Sequence, residues 1–152
     1  MNDEVELREI TRDTVRAICA LEVDESQQGL VAPNAVSIAQ AYFYDEAWFR
    51  AICARGEPVG FVMIYDPTLS SAPEEPDFFL WRLMIDRRHQ GKGYGRAAVR
   101  LVADHVRTRG ASRLLVSHVK HAEALGRFYA SLGFRYTGRE EEGELVMELP
   151  LG

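Results

Sequence analysis

Apolar positions in this chain recur with two periods, and the change from one to the other divides it into elements. Val5, Leu7 and Ile10 alternate as in a short strand. Thr11 and Asp13 then offer capping groups to a helix whose apolar face carries Val15, Ile18 and Cys19, and which is expected to run on to Glu22. Pro33 and Asn34 make a turn, after which Ser37, Ile38, Ala41 and Tyr42 begin a second helical pattern. Residues 48–54 and 58–65 read as two strands joined by Arg55, Gly56 and Glu57, whose glycine suits a tight hairpin. The polar, proline-containing segment 66–76 reads as an exposed loop.

The second half has the stronger pattern. Residues 77–85 form the most apolar strand, a glycine-rich turn follows, and a helix is expected over 93–109. On it Ala98, Leu101, Val102 and Val106 share one side while Arg96, Arg100, Asp104 and Arg107 share the other, as in a helix lying on a sheet. Gly110 supplies its stop. Residues 113–117 read as a short buried strand, so strand, helix and strand form a crossover whose two strands run parallel. A further helix over 122–132 ends at Gly133. Residues 134–137 and 144–149 close the sheet as a hairpin around Glu140, Glu141, Glu142 and Gly143.

Composition narrows the class. One domain over residues 1–152 is the natural expectation, with 47% hydrophobic residues to supply a core. The charged start MNDEVELREI has no apolar signal core, and no run approaches the roughly 18 residues of a membrane span. A soluble, cytoplasmic protein without membrane attachment is therefore expected. Cys19 and Cys53 lie far apart, which argues against a disulfide framework or structural zinc and for two buried small hydrophobes. The four histidines show no metal spacing, so no metal is expected. A formal net charge of −5 disfavours nucleic acid and mildly favours cationic small molecules as partners.

Against that acidity, the turn after residue 85 is basic. Arg87, Arg88, Lys92 and Arg96 crowd Gly91, Gly93 and Gly95, where a backbone without Cβ atoms meets the positive end of a helix. This suits a phosphate. The turn lacks the Lys-Ser or Lys-Thr pair of a nucleotide P-loop, and G-x-G-x-x-G fails at its last glycine. Gln90 to Gly95 does satisfy Q/R-x-x-G-x-G/A, which resembles the coenzyme A pyrophosphate loop of the GNAT N-acetyltransferases. A second motif, FYASLGF at 128–134, is similar to that family's tyrosine-bearing helix, and the order of elements is similar along nearly the whole chain.

The resemblance implies an α/β (α+β) fold: a mixed, mostly antiparallel sheet of six to seven strands flanked by about four helices and splayed between the fourth and fifth strands. It implies acetyl-CoA as cosubstrate, with pantetheine on the backbone of Leu83, Met84 and Ile85, and pyrophosphate on Gln90, Gly91, Lys92, Gly93, Tyr94, Gly95 and Arg96. Tyr129 becomes both a coenzyme contact and the general acid for the departing sulfur. Where the family often has an asparagine before the tyrosine, this chain has Ala122. The carboxylate common on the coenzyme strand is replaced by Trp81-Arg82, which leaves Glu22, Asp24, Glu25, Asp77, His118 or solvent as base.

The stretch QQGLVAPNAVSIAQAYF looks like the bacterial spermine/spermidine acetyltransferase branch. That likeness implies a polyamine acceptor met by Glu22, Asp24, Glu25 and Asn34. A different amine, such as an aminoglycoside or a protein amine, and a non-catalytic acyl-CoA sensor stay open as alternatives. Family likeness makes a homodimer reasonable, though no patch in the sequence requires one.

Overall fold

The computed structural model describes residues 4–152. Seven strands form one sheet: β1 (Val5–Arg8), β2 (Ala47–Ala54), β3 (Glu57–Tyr65), β4 (Phe78–Ile85), β5 (Arg113–Val119), β6 (Arg135–Glu141) and β7 (Glu144–Pro150). Their order across it is β1-β2-β3-β4-β5-β7-β6. All neighbours are antiparallel except β4 and β5. Four helices flank it: α1 (Val15–Ala20), α2 (Asn34–Ala41), α3 (Tyr94–Thr108) and α4 (Glu123–Ser131). This is the mixed α/β architecture expected from the sequence. No helix among the described residues is long and apolar enough to cross a membrane.

Strand alternation sends side chains to two cores. Ile52, Val62, Ile64, Leu80 and Leu114 meet Ala98 and Val102 of α3 and Tyr129 of α4 on one face. Phe61, Met63, Ala51, Cys53 and Met84 meet Ile18 beneath α1 and α2 on the other. Several boundaries differ from expectation. The β2–β3 hairpin is tighter, because Ala54 already faces Glu57 and only Arg55 and Gly56 turn, both at positive φ. The last hairpin likewise turns on Glu142 and Gly143 alone, so its acidic neighbours belong to strands. Helix α1 stops at Ala20, so Glu22 lies in extended chain beyond it. Cys53 is buried as expected, but Cys19 is exposed. Ile18 takes the inward position on so short a helix. Segment 66–76 carries one 3-10 turn, Pro67–Leu69, capped by buried Asp66, which also pairs with Arg109 at 3.2 Å.

Two features open the sheet in its middle. Strand β3 pairs Met63 with Arg82 but Ile64 with Leu80, leaving Trp81 as a bulge that bends β4. Pairing of β4 with β5 is confined to Phe78 with Leu114 and Phe79 with Leu115. From Leu80 onward the strands part. Their joined end is clamped by Arg113, which donates two bonds of 3.1 Å to Asp77 and one of 2.8 Å to Glu148.

Candidate active site

A cleft of about 1460 Å³ follows from that parting. It is lined by Leu83, Met84 and Ile85 of β4, by residues 90–96 other than Lys92, and by Tyr129, so nearly all the coenzyme residues expected from the sequence share one cavity. Backbone geometry explains the turn. Gly91 and Gly93 have φ of 79° and 83°, values that side-chain-bearing residues rarely adopt. Helix α3 begins immediately after Gly93. Its first internal bond comes from the Ala97 amide to the Gly93 carbonyl, which leaves the amides of Tyr94, Gly95 and Arg96 without helical acceptors. These amides and the helix dipole form an anion-binding end.

The charges around the turn are used unevenly. Buried Asp86 accepts bonds from the Glu22 amide at 3.0 Å, the Arg88 amide at 3.2 Å and Arg88 Nε at 2.8 Å. Arg87 pairs with Glu22 at 3.4 Å. Two of the four basic residues are therefore held by carboxylates, while Lys92 has no ion pair among the described residues and Arg96 donates to Ser131 Oγ at 2.8 Å. Gln90 also turns inward. Its Nε2 donates to the Ile85 carbonyl at 2.9 Å and to Gln27 Oε1 at 2.8 Å, which ties the turn to the end of β4 and leaves its main chain for a ligand.

Burial raises the pKa of Asp86, but the bonds from Glu22 and Arg88 outweigh it and hold the carboxyl below its ordinary value. A depressed folded-state pKa contributes stability that is fully present above the unfolded value, about 3.9, and is lost as pH falls through the folded one. Asp86→Asn is thus expected to lower stability by about 1–3 kcal/mol at neutral pH. In melting curves taken from neutral to acid pH, the gap to the parent should close at the acid end. A gap that stays constant would contradict this role.

Tyr129 sits on the inward side of α4 between Phe128 and Phe134, with ring centroids 5.1 and 5.3 Å away. Its hydroxyl has no hydrogen-bond partner among the described residues, and it reaches the cleft. Burial alone pushes its pKa up, so the phenol stays protonated through the neutral range. It is a donor without an acceptor.

The acceptor residues read from the sequence are more scattered. Glu22 lines the cleft but is drawn toward Arg87, and Asp24 and Glu25 lie outside it, with Asp24 accepting from Ser26 Oγ at 2.8 Å. Asn34 lines the cleft floor. Its Nδ2 is spent on the Ile18 carbonyl at 2.9 Å and Met84 Sδ at 3.6 Å, which locks α2 to α1 and β4. Two of the candidate bases are otherwise engaged. Asp77 belongs to the clamp at the joined end, and buried His118 faces α4, with Nδ1 on the Val119 carbonyl at 2.7 Å and Nε2 accepting from the Tyr136 hydroxyl at 2.9 Å. Gly126 makes room for that pair, since a Cβ there would lie 2.3 Å from the Tyr136 oxygen.

The cleft is also lined by residues given no acceptor or base role from the sequence: Glu75, Glu141, Glu142, Glu144, Ser117 and Arg82. Arg82 donates to Gln40 Oε1 of α2 at 2.9 Å and lies 5.4 Å from the Trp81 ring centre. Burial lowers its pKa, with Glu144 acting in the opposite direction. The available signal for Glu141, Glu142 and Glu144 was the acidic run before Leu145, which reads as a turn.

The fold agrees with comparisons to known proteins. The model of the Acetyltransferase (GNAT) family matches residues 15–134. The chain belongs to this family, the class of acyl-CoA-dependent N-acetyltransferases. It is 26% identical to the spermine/spermidine N(1)-acetyltransferase of Bacillus subtilis over 94% of this chain and 96% of that protein. It is also 36% identical to human N-acetyltransferase 8B, over 53% of this chain but only 34% of that relative's length. Among solved structures, a GNAT family acetyltransferase from Elizabethkingia anophelis with acetyl-CoA bound superposes with a TM-score of 0.68 at 13% identity, covering 98% of this chain and 99% of that one.

Proposed function

We propose that this protein transfers an acetyl group from acetyl-CoA to a primary amine by direct attack in a ternary complex, and that the amine belongs to a polyamine such as spermine or spermidine. The observation that carries this reading is the cleft between β4 and β5. Its lining combines an anion-binding helix end with a group of carboxylates. In this reading acetyl-CoA supplies the activated acyl group.

The chain's own residues do the rest. The amides of 90–96 take the pyrophosphate, and the parted edge of β4 at Leu83, Met84 and Ile85 takes the pantetheine as an added strand would be taken. A backbone amide near Leu83 holds the negative charge that develops on the carbonyl oxygen. Tyr129 donates to the sulfur as it leaves. The polyamine part is supported by the near full-length likeness to the Bacillus subtilis enzyme and by the carboxylates in the cleft lining, which suit a polycation.

The test is a thiol-release assay with acetyl-CoA across spermine, spermidine, aminoglycosides and peptide amines, with products identified by mass spectrometry. Acetylated spermine or spermidine is expected. Activity confined to peptides would overturn the acceptor, and binding of acetyl-CoA without release for any amine would leave a sensor instead of an enzyme.

A further inference from the structure

At neutral pH only about one primary amine in 10³ carries its free lone pair, given a reference pKa near 10.4. An amine acetyltransferase therefore benefits from a group that takes the ammonium proton where the amine meets the thioester. The coenzyme strand carries Trp81-Arg82 there, and neither can serve. Asp77 and His118 are committed elsewhere, Asp24 and Glu25 lie off the cleft, and Glu22 faces Arg87 beside the glycine turn.

The face of β5 that looks away from α3 and α4 offers another group. Leu114, Val116 and His118 point toward those helices, so Ser117 points to the opposite face, where the open chain beyond α1 and the helix α2 form the wall. Ser117 Oγ donates to Glu144 Oε1 at 2.7 Å across the β5–β7 pair. Both residues line the cleft just past the point where β4 leaves β5, and Arg82 lines it from the β4 side. Tyr129 enters from the other face. The parting of the strands thus has a phenol donor on one side of the sheet and an oriented carboxylate on the other.

We propose that Glu144, held by Ser117, is the proton acceptor for the attacking amine. This rests on the acetyltransferase reading above. The ammonium proton passes to the Glu144 carboxylate; the freed nitrogen forms the C–N bond to the acetyl carbon as the C–S bond breaks, the nitrogen releases its second proton to water to give the amide, and the sulfur leaves as thiolate against the Tyr129 hydroxyl. Charged groups around Glu144 are Arg82 from β4, Glu141 and Glu142 from the β6–β7 hairpin, and Glu75 from the loop before β4. Glu75, Glu141 and Glu142 are exposed, and Glu141 is engaged by Arg139. Glu144 is half-buried and has its orientation fixed. Arg82 lines the same cleft from β4.

The experiment is kcat/KM against pH, from about pH 6 to about pH 10, for the parent, Glu144→Gln and Ser117→Ala, with the best amine from the panel. Binding of acetyl-CoA to each protein is measured alongside. Glu144→Gln should lose about 100-fold at neutral pH, recover with unit slope as the free amine becomes abundant, and bind acetyl-CoA like the parent. Ser117→Ala keeps the carboxylate but frees it, and should lose about 3- to 10-fold with the same recovery. If Glu144→Gln does not fold, the Ser117→Ala profile decides. A neutral-pH rate within about threefold of the parent for Glu144→Gln, or a loss equal at every pH, overturns the assignment. A parent protein inactive on every amine defeats the enzymatic reading itself, whereas an active parent with an unchanged Glu144→Gln profile defeats only this inference.

Discussion

Replacing Tyr129 with phenylalanine is expected to lower kcat by about 100-fold while leaving acetyl-CoA affinity within about twofold. The ring contributes packing against Phe128 and Phe134, and phenylalanine preserves it. Only the hydroxyl is lost, and it has no partner among the described residues, so its removal leaves no protein group unsatisfied. Its effect therefore falls on the ligand. Burial holds the phenol protonated well above neutrality, and a thiolate with a reference pKa near 8.5 is the weaker base of the pair. In the proposed mechanism the hydroxyl donates to the sulfur as charge develops, with no complete transfer required. The loss should be the same from about pH 6 to about pH 9, unlike the pH-dependent loss expected at Glu144. Equal turnover by both proteins would remove Tyr129 from the chemistry.

The second large effect is structural and lies one strand away from the cleft. Gly60 of β3 pairs with Ile85 of β4, and a Cβ there would lie 2.4 Å from the Met84 carbonyl oxygen and 2.8 Å from Ile85 Cδ1. The first clash is with backbone, which cannot rotate aside. Gly60→Ala is expected to destabilise the protein by about 2–3 kcal/mol, a fall in Tm of roughly 5–10 °C. The relief available is to push β4 toward the parting from β5, the edge proposed to hold pantetheine. Acetyl-CoA affinity should fall along with Tm, by about tenfold or more. Calorimetry and titration on the one variant measure both, and an unchanged melting point would show that the strands accommodate the methyl group.

Local chemistry in the sequence carried most of the fold. The glycine turn at residues 90–96, the amphipathic pattern of α3 and the FYASLGF motif are each contiguous, and a contiguous pattern needs no knowledge of distant partners. Boundaries shifted where pairing decided them: Glu57 joined β3 because it faces Ala54, and β6 extended to Glu141 because it faces Glu144. The bulge at Trp81 was hidden, since FFLWRLMI is apolar on both faces and a slip of one residue leaves no mark in such a run. The crowd of arginines had the same limitation. Composition placed Arg87 and Arg88 beside the turn, but only the folded chain brings Glu22 and Asp86 to hold them.

The acceptor side was the least legible for the same reason. Asn34, expected to make a turn and meet the acceptor, is a buried strut, and the acidic residues after Leu21 looked like a substrate patch although two of them lie off the cleft. Ser117 and Glu144 are separated in sequence and become neighbours only through the β5–β7 pairing. No spacing rule joins them. Tyr129, the proposed acid, belongs to a contiguous motif, whereas Glu144, the proposed base, meets Ser117 only through the order in which the last hairpin closes the sheet.

The parting of β4 from β5 is where cosubstrate and acceptor are proposed to meet, and a crystal structure of the protein with coenzyme A tests that most directly. The pantetheine should lie along Leu83, Met84 and Ile85, the pyrophosphate on the amides of 90–96, and the thiol within hydrogen-bonding reach of the Tyr129 hydroxyl. Coenzyme bound outside this cleft, or in it with the thiol turned away from Tyr129, would contradict the account.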